Sequence, residues 1–245
     1  MKDFRYENYN SGNIRDVIKD KKNIILPLGA IEAHDIHLPL NTDNILVEYY
    51  TNQLAKKTNS LVLPTINYGA VWSLSEAGGS IDIGTRTLVD MIKNIGLSLA
   101  KNGAKMLTLV SAHFGNIDAA KTAARELYEI SNIKVIYMTY PNIKKHLDIF
   151  DVVNDHSLYL HACEVETSMM LHIDESLVDK DKLREGVINV PKETGYTPTK
   201  WTDFTDVYIM GDARLSTKEK GKEIFKRVVN DAVEIINLEK DKLCN

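Results

Sequence analysis

Four short apolar runs constrain this chain more than anything else in it: residues 23–28 (NIILPL), 60–65 (SLVLPT), 105–111 (KMLTLVS) and 134–139 (KVIYMT). Each is continuous rather than alternating, and rich in Leu, Ile or Val. Runs of that kind read as strands buried on both faces, because each face has to meet an apolar layer. Between them lie stretches with helical periodicity. Residues 87–101 place Leu88, Ile92, Ile95 and Leu99 on one stripe, with Gly103 to stop it. Residues 116–130 carry Ala120, Ala124 and Leu127 on one face, and a last helix from about Thr217 presents Ile224, Val228, Ala232 and Ile235. Strand–helix alternation with short connections predicts an α/β fold, a mostly parallel sheet covered by helices on both sides.

The 245 residues suffice for a large core, and α/β chains of this size commonly fold as one domain, so a single domain over 1–245 is expected. Residues 185–212 are the least regular, with Gly186, Pro191, Gly195, Pro198 and Gly211 among polar residues. They read as a long loop, of the kind that serves as a lid or an interface arm. No apolar run approaches the ~20 residues of a membrane span, and the first residues lack a signal-peptide core. A net charge of −4 without a concentrated basic patch argues against nucleic acid as the main partner. Cys163 and Cys244 lie too far apart to form a disulfide framework, which fits a reducing cytoplasm.

The chemistry concentrates in three places. Directly after the first strand comes GAIEAHDIHLPLNTD, with Glu32, His34, His37 and Asp43 inside twelve residues. Glu32 and His34 are two apart, so an extended chain turns both to one side. Pro39 keeps the next segment out of helix and lets Asp43 return. After the third run comes SAHFGN, containing His113, Gly115 and Asn116; in parallel α/β sheets, ligand crevices lie beyond such strand ends. The third cluster is HACEVETS, with His161, Glu164, Glu166 and Ser168. In a helix Glu164 shares a face with His161 and Ser168 but not with Glu166, so one of the two carboxylates enters a given site. Any one of these residues alone reads as structural. Carboxylate and imidazole together at two strand ends, and again beside an apolar helix, form a ligand set for Zn, Mn or Fe, in which an Asp can bridge two ions. His37 reads as a loop-shaping residue, His146, His156 and His172 as surface or core residues, and Cys163 as a packing residue. Trp72 and Trp201 either wall a pocket or pack. The chain contains no G-x-S-x-G elbow, P-loop, H-E-x-x-H or C-x-x-C motif.

Taken together, LPLGAIEAH, HLPLNTD, HFGN and HACEVETSMML, in that order and spacing, resemble the creatininase (creatinine amidohydrolase) family over most of the chain. The resemblance implies a three-layer α/β/α sandwich that holds two divalent metal ions, Zn first, with Mn or Fe as alternatives. It implies Glu32, His34, Asp43 and His113 as metal ligands, with Asp43 the bridge. Creatinine-hydrolysing members carry a Glu where this chain has Gly115, and an apolar residue where it has Glu164, so Glu164 is expected to supply the missing carboxylate. His161 matches the family's proton-transferring histidine, and Glu166 a retained acid that orients a ligand. Two pocket tryptophans of those members fall here at Pro141 and about Ser157, and Ala33 and Asp35 stand in place of the family's common Gln and Gly. The implied activity is hydrolysis of a non-peptide C–N bond in a small-molecule amide by a metal-bound hydroxide, in a cytoplasmic trimer or hexamer. The rivals are removal of formate from a formylamino-pyrimidine nucleotide and a non-catalytic metal-binding scaffold.

Overall fold

The protein is described here by a computed structural model covering residues 4–151 and 159–243. Its sheet has four parallel strands in the order β2-β1-β3-β4: β1 (Asn23–Leu28), β2 (Leu61–Val62), β3 (Met106–Ser111) and β4 (Lys134–Met138). The central strands β1 and β3 are buried throughout. Their register pairs Ile24 with Leu107 and Leu26 with Leu109. These side chains enter one core, whereas Ile25, Met106 and Val110 enter the other. The period-two alternation of a strand thus feeds two cores at once, which is why both runs are apolar at every step.

The core that receives Ile25, Met106 and Val110 takes helices α2 (Thr42–Thr58), α5 (Glu164–Ile173) and α6 (Lys218–Asp241). The core that receives Ile24, Leu26, Leu107 and Leu109 takes α1 (Ile14–Lys21), α3 (Thr85–Lys101) and α4 (Ile117–Ile130). The result is the three-layer α/β/α arrangement. α5 and α6 touch backbone to backbone: a Cβ on Gly221 would stand 1.8 Å from the carbonyl oxygen of Ser168, so only glycine fits there.

The edges depart from expectation. Of the predicted strand at 60–65, only Leu61–Val62 is regular, because Pro64 has no N–H to give the ladder. β4 is half-buried, with Tyr137 39% exposed, since an edge strand has a neighbour on one side only. On α6, Ile224, Val228 and Ala232 are buried as expected, but the next buried residue is Ile236, with Ile235 beside it on the core margin. Pro39 does not keep its neighbourhood out of helix for long: α2 begins at Thr42, and Asp43 lies in its first turn. Nor is His161 helical, because α5 starts at Glu164 after Ala162 at φ +48°. No helix among the described residues is long and apolar enough to cross a membrane.

Candidate metal centre

β1 and β3 are neighbours in parallel, and Leu28 pairs with Ser111, so both strands deliver their following loops to one end of the sheet. The β1 loop brings Glu32 and His34, the β3 loop His113, the first turn of α2 Asp43, and the first turn of α5 Glu166. His161 arrives from the segment before α5, where its backbone pairs with Met210. Asn116 stitches these loops together. Its carboxamide donates to the carbonyl of Gly29 at 2.9 Å and accepts from the N–H of Ala70 at 2.9 Å.

Each of the three histidines donates one ring N–H to a backbone carbonyl. His34 Nδ1 bonds Glu32 O at 3.0 Å, His113 Nε2 bonds Ala70 O at 2.9 Å, and His161 Nε2 bonds Ala33 O at 2.9 Å. A carbonyl can only accept, so the other nitrogen of each ring faces inward, the arrangement that fixes the tautomer of a metal-binding histidine. His113 Nδ1 lies 3.1 Å from Glu32 Oε2 and 3.5 Å from Asp43 Oδ2. His34 Nε2 lies 3.6 Å from Asp43 Oδ1 and 3.8 Å from Glu166 Oε2. Asp43 thus faces one histidine with each of its oxygens.

Ligand atoms held by a tetrahedral ion at about 2.0–2.2 Å lie about 3.3–3.6 Å from one another, close to these separations. Glu32 Oε2, His34 Nε2 and Asp43 Oδ2 are also buried with no hydrogen-bond partner. Orphaned buried polar atoms are costly and call for an explanation, which a divalent cation supplies for all three. The residues therefore fit metal. Two trios could hold an ion: Glu32, Asp43 and His113, and His34, Asp43 and Glu166. A third, Glu32 with His34 and His161, overlaps both.

The electrostatics favour cations. Burial opposes charge on His113, yet Glu32 and Asp43 lift it to about 10. Burial likewise opposes charge on His34, which Asp43, Glu166 and Glu32 lift to about 9. His161, pushed down by burial and then by the charge on His34, falls to about 4. Burial raises Glu166 to about 7, against the pull of His34.

Glu164 is not in this group, which corrects its expected place among the ligands. It is fully buried, but one oxygen is paired with Lys220 Nζ and the other accepts the N–H of Asp151 at 3.0 Å. Residues 164 and 166 sit on different faces of α5, and the one aimed at the cluster is Glu166. Gly115 has a steric reason: a Cβ there would meet His113 Nε2 at 2.4 Å and Ala70 O at 2.5 Å. His37 shapes the loop, its Nε2 donating to Thr167 Oγ1 at 3.0 Å. His146 bonds Asp231 at 2.8 Å near the surface, His172 bonds the Tyr49 hydroxyl, and Cys163 is buried, its thiol pushed up to about 12. His156 and Ser157 lie outside the described residues, as does Cys244. Pro141 follows Tyr140, whose ring packs against Phe114.

A cavity of about 210 Å³ opens over the cluster. Phe114, Tyr159 and Trp201 are its aromatic lining, and Trp201 sits edge-on to His161 with ring centroids 5.2 Å apart. Residues 185–212 therefore carry a pocket wall. Nothing near Trp201 in the chain marks it as a pocket residue. The same holds for Ala70, which contributes only its backbone carbonyl.

Fold and cluster together define a class, an α/β/α protein with carboxylate–imidazole groups for divalent metal at its strand ends. The chain belongs to the creatininase family: the family model, described as creatinine amidohydrolase, matches residues 7–236. It is an amidohydrolase of that family. The creatinine amidohydrolase of Pseudomonas putida is 26% identical over 238 residues, covering 88% of this chain and 89% of the relative. A mycofactocin precursor peptide peptidase of Mycobacterium ulcerans is 27% identical over 223 residues, covering 86% and 82%. A solved creatininase superposes with a TM-score of 0.82 at 22% identity over 98% of both chains, which shows the fold; solved creatininases of this fold include a Mn form and a Zn–Zn form.

Proposed function

We propose that this chain hydrolyses a C–N bond of a small uncharged amide at a centre for two divalent ions, Zn first, with Mn and Fe suited to the same ligands. Glu32, Asp43 and His113 would hold one ion, and His34, Asp43 and Glu166 the other, so Glu166 takes the part of the carboxylate that Gly115 lacks. The observation that carries this reading is the convergence of three orphaned buried ligand atoms with histidines whose tautomers are already set. Bound there, divalent ions supply Lewis acidity and lower the pKa of water from 15.7 to about 7.

The chain's own residues do the rest. His161 turns Nδ1 inward because Nε2 is committed to Ala33 O. It can take a proton from the attacking water and return it to the departing nitrogen, a transfer worth about 10²–10⁴-fold. The cavity, at about 210 Å³, is below the ~300 Å³ where drug-sized sites begin. Among the described residues that line it there is no Lys or Arg, whereas Glu32, Asp43 and Glu166 do line it. Beyond the ions themselves, these lining residues offer no side chain to hold a phosphate, and the small size of the cavity suits a neutral amide such as creatinine.

The test is elemental analysis alongside a substrate panel: creatinine ring opening, formate release from a formylamino-pyrimidine nucleotide, and cleavage of a precursor peptide. Two ions per chain and turnover of the neutral amide are expected, both lost in Asp43→Ala. Turnover of the nucleotide or the peptide alone would overturn the substrate reading. One ion with no amide hydrolysis would favour a metal-binding scaffold.

A further inference from the structure

Asp35 stands between the ligand His34 and the loop-shaping His37, yet its side chain points away from the metal cluster. Its backbone is left-handed, at φ +57°, a conformation glycine adopts freely and Asp tolerates with some strain. Glycine would therefore be the relaxed choice for this turn. What Asp adds is its carboxylate, which is 1% exposed and fully engaged. Oδ2 accepts Arg184 Nε at 2.8 Å, and Oδ1 accepts Arg184 Nη2 at 2.6 Å and the N–H of Tyr208 at 3.2 Å. Two parallel bonds from a guanidinium fix direction as well as distance.

The partners are telling. Arg184 immediately precedes the irregular segment 185–212, and Tyr208 lies just before its end. One carboxylate thus ties both stems of the segment to the loop that carries Glu32 and His34. The stems are also paired with each other, Gly186 N–H to Gly211 O at 2.8 Å and Val187 N–H to Ile209 O at 2.8 Å. Between them the segment is free of regular structure apart from single turns, and it brings Trp201 to the pocket wall against His161 and Tyr159. Trp201 and Tyr208 pack against the small apolar cluster of Ala30, Ala33, Val71, Leu74 and Ala77 beside the same loop.

We propose that Asp35 is a positioning residue whose clamp on Arg184 and Tyr208 holds segment 185–212 in place and so sets where Trp201 closes the pocket. The clamp couples the wall that meets substrate to the loop that holds metal, so the two keep one spacing. This assigns a role to the substitution of Asp for the glycine common at this turn, and it rests on the reading of the cavity as the substrate site.

The test isolates Trp201 by Trp72→Phe, which leaves it the sole tryptophan of the chain. Acrylamide quenching of its fluorescence is then measured in the metal-loaded protein, with metal content taken alongside. Asp35→Gly keeps the turn and removes the clamp, and Arg184→Gln removes the bidentate partner from a half-exposed position. Both are expected to raise the quenching constant about twofold or more, as a tethered segment loosens, with two ions still bound. Asp35→Asn, which still accepts from Tyr208 N–H and from Arg184, is expected to restore much of the protection. Quenching unchanged in both Asp35→Gly and Arg184→Gln would overturn the proposal. So would loss of metal in Asp35→Gly without a change at Trp201, which would place the role of Asp35 in the ligand loop. No readout requires turnover, so failure of the substrate assignment would leave this result standing on its own.

Discussion

Gly115→Ala is the smallest change that tests how the metal centre is built. The added Cβ would stand 2.4 Å from His113 Nε2 and 2.5 Å from the carbonyl oxygen of Ala70. Those two atoms make the 2.9 Å hydrogen bond that orients the ring. Ala70 O belongs to backbone held by Asn116, so the imidazole has to swing, breaking that bond. Nδ1 then turns from its place 3.1 Å from Glu32 Oε2 and 3.5 Å from Asp43 Oδ2. Loss of such an orienting partner typically weakens metal binding about 10–100-fold, which is about 1.4–2.7 kcal/mol. Gly115→Glu is expected to do the same or worse, although it adds a carboxylate, because it brings the same Cβ. Competition for Zn against a chromogenic chelator measures the loss, with circular dichroism as the check on folding. Wild-type affinity in Gly115→Ala would refute the steric reasoning, and a gain in affinity in Gly115→Glu would refute the assignment of Glu166 as its replacement.

Two further perturbations address residues that the chain places close together but the fold separates. Glu166→Gln is expected to lower the metal content from two ions to one, whereas Glu164→Gln leaves it at two and costs about 1–3 kcal/mol of stability, read by denaturant unfolding, through its pairing with Lys220. Equal metal loss in both would show that Glu164 is a ligand after all. The third concerns Asp212, whose carboxyl is held below the usual range by hydrogen bonds from Arg214 against the effect of burial. A depressed folded pKa gives stability that is present above the unfolded value of about 3.9 and lost as pH falls through the lower folded one. The stability gap between wild type and Asp212→Asn should therefore close below about pH 4, and a gap that persists at pH 2 would contradict the pairing.

Much of the frame is legible in the chain because it depends on local pattern. β1 and β3 announce themselves as continuous apolar runs, and α3, α4 and α6 by their apolar stripes. The edges were harder, since Leu61–Val62 is cut short at Pro64 and Lys134–Met138 is half-exposed for want of a strand on its outer side. Among the site residues, Glu32, His34, Asp43, His113 and His161 stand out by composition near strand ends. Periodicity narrows Glu164 and Glu166 to one carboxylate, and the resemblance points to Glu164, whereas the fold aims Glu166 at the cluster; periodicity separates helix faces without saying which face meets the site. Trp201 and the clamp at Asp35 lie beyond any local signal: Asp35 meets Arg184 across 149 residues of sequence.

By itself, then, the order of residues determined a parallel α/β frame with carboxylate and imidazole groups at its strand ends. Hydrophobic period and residue chemistry are properties of neighbours along the chain. Which carboxylate faces the cluster, which nitrogen of each histidine is left free, and which wall closes the pocket were decided only in three dimensions. Each depends on a partner, whether Lys220, a backbone carbonyl or Arg184, that folding brings in from elsewhere in the chain.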